Sequence, residues 1–135
     1  MKIRVATMND VPRIAEMYLD LRRNVHPLLK GVPKKVPSFE ELLNYAKGKI
    51  IKPIHSIFLA IENEKIVGMI RVTSRAKKRA DLGDAYLEPA FRKQGVIQKI
   101  ESYIIEHYKE RGAVTFNKTK RYMKQRDFYE KENLE

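Results

Sequence analysis

The sequence predicts one α/β domain, a mixed central sheet with flanking helices, and three patterns carry that prediction. Short apolar runs of strand character recur at residues 2–6, 56–62, 66–73 and 81–87, and between and after them the apolar spacing changes to that of helices. A long helical stretch then separates the fourth strand from a brief fifth, which makes that last pair parallel through a right-handed crossover. At 135 residues the chain fits a single domain, residues 1–135, around one core.

Lys2 to Ala6 alternates as a first strand, and Thr7, Asn9 and Asp10 are residues that cap a helix. Val11, Ile14, Ala15, Tyr18 and Leu21 recur at helical spacing, with Pro12 in the first turn where no donated hydrogen bond is needed, so a helix is expected to about Arg23. Pro27, Gly31, Pro33 and Pro37 make residues 24–37 a loop. Ser38 with Glu41 is a capping box opening a second helix, whose stripe is Phe39, Leu42, Leu43 and Ala46 and whose end is expected near Gly48.

Ser56 to Glu62 and Ile66 to Thr73 are strands joined tightly through Asn63 and Glu64, and Arg75 to Arg79 is a basic loop. Asp81 to Leu87 completes a meander, although Gly83 and Asp84 are poor sheet formers in its middle. Ile97, Ile100, Ile104 and Tyr108 mark the face of a long helix that stops at Gly112, Ala113 to Phe116 is the fifth strand, and Lys120 to Lys131 is a last helix with Tyr122, Phe128 and Tyr129 on its apolar side.

The formal net charge is +11, and residues 75–126 concentrate it, with 14 Lys/Arg against 6 Asp/Glu. Such a field favours anionic partners, whether a phosphorylated cofactor, an acidic protein or nucleic acid. Lys118, Lys120, Arg121, Lys124 and Arg126 are candidates for a basic face on the last helix. The absence of cysteine excludes disulfides, thiolate nucleophiles and thiolate zinc sites. His26, His55 and His107 lie far apart without patterned carboxylates, so no metal site is expected. The apolar runs fall far short of the roughly 20 residues that span a bilayer, and the first residues lack an export-signal pattern, so a cytoplasmic protein without a membrane partner is expected.

Function is most legible where the fourth strand meets the long helix, in Leu87-Glu88-Pro89-Ala90-Phe91-Arg92-Lys93-Gln94-Gly95-Val96-Ile97. The first turn of a helix presents unpaired N–H groups and the positive end of its dipole, Gly95 allows close backbone approach, and Arg92 and Lys93 add charge. The junction is shaped to hold an anion.

This segment resembles the signature of the GNAT family of acetyl-CoA-dependent N-acetyltransferases: Leu87 and Pro89 match the approach, Arg92 the first signature position and Gly95 the central glycine. Ile3-Arg4-Val5-Ala6 with Asn9-Asp10-Val11, Phe58-Leu59-Ala60-Ile61 with Ile66-Val67-Gly68, and Phe128-Tyr129-Glu130-Lys131 are similar to further family segments, in the family's order. The resemblance implies a GNAT-like (acyl-CoA N-acyltransferase) fold and transfer of acetyl from acetyl-CoA to a primary amine, on a small molecule or a protein, by direct attack in a ternary complex. It implies that Leu87, Arg92, Lys93, Gln94, Gly95, Val96 and Ile97 line the coenzyme A pyrophosphate, mostly through backbone amides. Tyr129 matches the family's tyrosine that protonates the departing thiolate, and Asp84 is the candidate general base. A core aromatic at helical spacing is the plainer account of Tyr129, and a turn or solvent group that of Asp84.

Two positions depart from the family. Ile97 stands where Gly or Ala is usual; a branched side chain there either crowds the cofactor or turns inward to extend the stripe of Ile100 and Ile104, and the spacing favours the inward option. Asn133 and Leu134 occupy the place of a Gly-Phe pair, so the sheet is expected to lack the family's last two strands, leaving the fifth strand to be covered by a second subunit, as a homodimer, or by the final helix moving across. An inactive binding or interaction module and a basic nucleic-acid-associated protein are the alternatives to an enzyme.

Overall fold

The computed structural model describes residues 1–75 and 78–131, so Ala76 and Lys77 of the basic loop, and residues 132–135, lie outside it. Five strands form one sheet in chain order: β1 (Lys2–Val5), β2 (His55–Glu62), β3 (Lys65–Arg75), β4 (Arg79–Leu87) and β5 (Thr115–Lys118). The first four pair antiparallel and β4 pairs parallel with β5, so the sheet is mixed as the crossover requires. Helices α1 (Val11–Asp20) and α2 (Phe39–Ile51) cover one face and α3 (Val96–Lys109) the other, and α4 (Lys120–Lys131) follows β5.

Local chemistry explains the connections. The Arg4 guanidinium pairs with Asp10 at 2.8 Å, and the same carboxylate accepts from the Thr7 amide, fixing the entry to α1. Ser38 and Glu41 form the reciprocal capping box at α2. Asn63 and Glu64 both have positive φ, 51° and 64°, the geometry of a two-residue turn whose twist matches its strands.

Several boundaries move. The first helix passes at Leu21 into a π-helical turn, Leu21–Val25, and a short 3₁₀ turn, His26–Leu28, so the loop begins later than its prolines suggest. Helix α2 runs to Ile51 because a glycine with open space around it, Gly48, does not by itself end a helix whose ladder continues. Strand β5 begins two residues late, after Gly112 and Ala113 are used to close α3 against Tyr108 and Lys109 carbonyls.

Gly83 has a clear reason. The β3–β4 register shifts there, Arg71 pairing Asp84 while Val72 pairs Leu82, so Gly83 is the extra residue of a bulge. The Arg71 side chain lies across it: a β-carbon on Gly83 would sit 2.5 Å from Arg71 Nη2. The core joins Ile14, Tyr18 and Leu42 of the α1–α2 layer to Phe58 and Ile70 of the sheet and Ile97, Ile100 and Ile104 of α3. Phe58 meets Tyr103, His107 and Tyr108 edge-on, which makes His107 a packing residue.

Candidate functional site

Strands β4 and β5 pair only between Arg79–Leu82 and Thr115–Lys118. Beyond Leu82 no strand of the described residues lies beside the outer edge of β4, and the buried backbone groups there need other partners. Side chains supply them. The Thr119 hydroxyl donates to Gly83 O (3.3 Å), Gln125 Oε1 accepts from the Ala85 amide (2.7 Å), the Tyr129 hydroxyl donates to Ala85 O (2.7 Å) and Arg92 Nε donates to Leu87 O (2.8 Å). Helix α4 thus stands in for a strand along the open half of β4.

The turn beyond β4 has the geometry of an anion seat. After a 3₁₀ turn at Pro89–Phe91 the chain is extended at Arg92, left-handed at Lys93 (φ 65°) and again left-handed at Gly95 (φ 75°) before α3 begins. The first α-helical bond runs from the Lys99 amide to Gly95 O, so the amides of Val96, Ile97 and Gln98 have no acceptor within the helix. Above Gly95 the nearest side-chain atom to an added β-carbon would be Gln98 Oε1 at 3.6 Å, leaving the approach open. Lys93 and Gln94 are exposed, whereas Val96 and Ile97 are buried, Ile97 at 1% exposure inside the core.

Arg92 turns inward. Its guanidinium lies 5.1 Å from the Tyr129 ring centre and 5.5 Å from that of Phe128, with Tyr86 on a further side, so the side chain is a buried brace between the turn and α4. The Lys93 amide is also tied to α4, donating to Tyr129 O at 3.0 Å. Tyr129 is 1% exposed, and burial pushes its hydroxyl well above its ordinary pKa.

Asp84, 2% exposed, is the centre of a polar cluster on the α1–α2 side. One carboxylate oxygen accepts from Arg71 Nη2 (3.0 Å) and Nε (3.3 Å), and the other accepts from Gln125 Nε2 (3.2 Å) and faces Arg121 Nη1 (3.5 Å). Because Gln125 must turn its oxygen to the Ala85 amide, its nitrogen faces His26 Nε2 at 3.0 Å, which fixes that ring nitrogen as an acceptor. Burial, with Arg22 adding to it, lowers the His26 pKa to about 4.

The sequence-predicted residues therefore fall into two groups held together by α4: Arg92 to Ile97 at the turn, and Asp84 with Tyr129 on either side of Ala85. Gln125, Thr119 and Arg71 were not singled out from sequence. Gln125 carried a signal, since it lies on the Tyr122–Tyr129 stripe at i+3, where a polar residue must find buried partners.

Of the five basic residues that are candidates for a face on the last helix, Lys120 is exposed and the other four have partners within the chain. Lys118 and Arg126 pair with Glu101 at 2.9 and 3.2 Å, Arg121 faces Asp84, and Lys124 Nζ donates to Lys30 O. Arg75 and Arg79 both pair with Asp81. Among the described residues no group of three His, Asp or Glu side chains could hold a metal ion, and no helix is long and apolar enough to cross a membrane.

The fold recurs in solved structures. A possible acetyltransferase from Clostridium difficile 630 superposes with a TM-score of 0.72 at 19% identity, covering 98% of this chain and 82% of that one. A predicted acetyltransferase from Clostridium acetobutylicum, solved with acetyl-CoA, gives 0.67 at 15% identity over 99% and 90% of the two chains. A transcriptional regulator from Bacillus halodurans C-125 gives 0.68 at 25% identity over 99% and 92%. No curated protein matches the sequence. The model of the acetyltransferase (GNAT) family matches residues 15–133, from within α1 through α4 and including the turn at Arg92 to Gly95, and the chain belongs to that family.

Proposed function

We propose that the protein is an N-acetyltransferase that uses acetyl-CoA and an amine in a ternary complex. The observation that carries this is the turn, with left-handed Lys93 and Gly95 leading into three amides at the start of α3 that have no acceptor within the helix. Those residues fit a pyrophosphate: the amides converge with the helix dipole, Lys93 is exposed beside them, and the inward Ile97 side chain leaves the seat clear.

Acetyl-CoA supplies a thioester whose carbonyl carbon accepts the amine nitrogen, the C–N bond forming as the C–S bond breaks and the sulfur leaving with a proton. The chain's own groups suit the rest. The Ala85 amide, on the open edge of β4, would be free to donate to the thioester carbonyl if Gln125 withdrew. Tyr129 keeps its proton at neutral pH and donates it now to Ala85 O, the position from which it would serve the leaving sulfur. Asp84, held by Arg71, or water through it, takes the proton that the amine loses.

One observation favours the second reading, a non-catalytic relative: Gln125 and Tyr129 occupy both polar groups of Ala85, and Tyr129 O occupies the Lys93 amide. Calorimetry with acetyl-CoA separates the two. Micromolar binding that weakens at least tenfold in Lys93→Glu, with free thiol released when amines are added, is expected for the enzyme. Binding without thiol release, or no binding at all, overturns the enzyme and supports the second reading, which thiol release in turn overturns. Lys93 is the residue to change because it is exposed, whereas charge reversal at buried Arg92 would damage the fold.

A further inference from the structure

Four cations from four elements gather at the Asp84 cluster: Arg22 from the π-helical turn, Lys49 from α2, Arg71 from β3 and Arg121 from α4. Arg71 and Arg121 reach Asp84 directly. Arg71 Nη1 donates to Thr73 Oγ1 (3.1 Å), which lies 3.0 Å from His55 Nδ1, and Lys49 stands 3.5 Å from the other nitrogen of that ring and 5.1 Å from the centre of the Tyr45 ring. Burial and Asp84 raise the Tyr45 pKa while Arg22, Arg71 and Arg121 all act to lower it, so these four charges lie within reach of one ring. Charges of one sign held this close in a half-buried place repel unless an anion joins them.

The floor of the cluster is polar as well as charged. Arg71 places three of its five N–H groups on Asp84 and Thr73. Beside it the Tyr18 hydroxyl, 1% exposed and with its ring T-shaped to Tyr45 at 5.1 Å, makes no well-formed hydrogen bond among the described residues and has the Arg71 guanidinium as its polar neighbour. Arg22, Tyr45, Lys49 and Arg121 are part-exposed, so the cluster opens to solvent while its floor is buried.

We propose that this cluster is an oxyanion subsite, seating a carboxylate or phosphate of the acceptor between Arg22, Arg71 and Arg121 beside Tyr45. That the ligand is an acceptor rests on the acetyltransferase reading; the anion site itself does not. Gln125 links Asp84 to the Ala85 amide, so the subsite adjoins the open edge of β4, within reach of an amine joined to the seated anion by a short chain. A neutral amine lacks the anchor, and a polyamine meets the cations head-on.

Thermal unfolding at constant ionic strength tests the site without turnover. In Lys93→Glu, which disables the turn as a second anion seat, inorganic phosphate or succinate at about ten times its Kd should raise Tm by about 4 °C, and the anion that does so identifies the group bound. The rise should vanish when Arg22→Gln and Arg121→Gln are added; both side chains are part-exposed, so the fold should survive. Protection by neither anion, or protection unchanged in the triple variant, overturns the proposal. With acetyl-CoA, a dicarboxylic amino acid should be acetylated with a KM at least tenfold below that of its neutral amide, and the two Arg substitutions should erase the difference while leaving acetyl-CoA affinity unchanged. Equal use of both amines overturns the acceptor assignment, whereas failure to bind acetyl-CoA defeats only the acetyltransferase reading and leaves the phosphate result to decide the anion site.

Discussion

The Tyr129 hydroxyl donates a 2.7 Å hydrogen bond to the Ala85 carbonyl, so the residue best matched to proton donation is also a structural bolt between α4 and the open edge of β4. Tyr129→Phe leaves that buried carbonyl unpaired and should cost about 1–2 kcal/mol in urea unfolding. Loss of stability with unchanged turnover would assign Tyr129 to structure alone, whereas a fall in kcat of at least tenfold in the folded variant supports a proton-donating role.

Gln125 makes the opposite prediction about binding. Its one amide serves the Ala85 N–H, Asp84 and His26, so Gln125→Leu should destabilise by about 2–3 kcal/mol. The same change frees the edge of β4 for an extended ligand, which pairs with an exposed strand edge through backbone bonds. Acetyl-CoA affinity, measured by calorimetry well below the Tm of the variant, should rise severalfold, because binding no longer displaces the glutamine. Weaker binding would show that Gln125 contacts the ligand instead of standing in its place.

The histidines set an acid limit. Folding lowers the His26 pKa from 6.5 to about 4, so between those values the unfolded chain binds more protons and stability falls as the pH falls. His26 alone should account for about 2 kcal/mol lost between pH 7 and 5, and part-exposed His55, also lowered to about 4 by burial and Lys49, for less. Urea midpoints across that range should slope accordingly. The slope should shrink in His26→Gln, and a slope unchanged by the substitution would place the titration elsewhere.

Where a residue's role follows from local pattern, the sequence is readable. The capping box at Ser38, the turn at Asn63–Glu64, the parallel last pair and the inward Ile97 all follow from spacing or backbone preference. The site is less so, because its chemistry is made by contacts across the fold. Nothing local says that Arg92 turns into an aromatic box, that Arg71 crosses the sheet over Gly83, or that an α4 side chain completes a strand edge 40 residues away. Gly83 shows the limit well, since what reads as weak strand character is clearance for a guanidinium.

That clearance is testable. In Gly83→Ala the new methyl would sit 2.5 Å from Arg71 Nη2 and 2.8 Å from its Cζ, so the guanidinium must shift, which strains its bonds to Asp84 and Thr73. A carboxylate 3% exposed would lose its main partner, and the cost should be about 2–4 kcal/mol in urea unfolding. A near-neutral effect would mean that Arg71 finds an equivalent position. Removing the carboxylate as well, in Gly83→Ala with Asp84→Asn, should recover part of the loss.

Gly95 separates fold from binding at the turn. Its φ of 75° is left-handed, so Gly95→Ala carries a conformational cost of about 1–2 kcal/mol, with no steric addition because the nearest side-chain atom is 3.6 Å away. The methyl projects where a pyrophosphate would approach the amides of α3, so its effect on binding should exceed its effect on stability. A Tm lowered by a few degrees with acetyl-CoA affinity reduced at least tenfold is the expected pair of results. A matching loss in Lys93→Glu, which leaves the backbone conformation intact, would place both residues at one seat. Unchanged affinity in Gly95→Ala would move the pyrophosphate away from this turn, and with it the main support for the enzymatic reading.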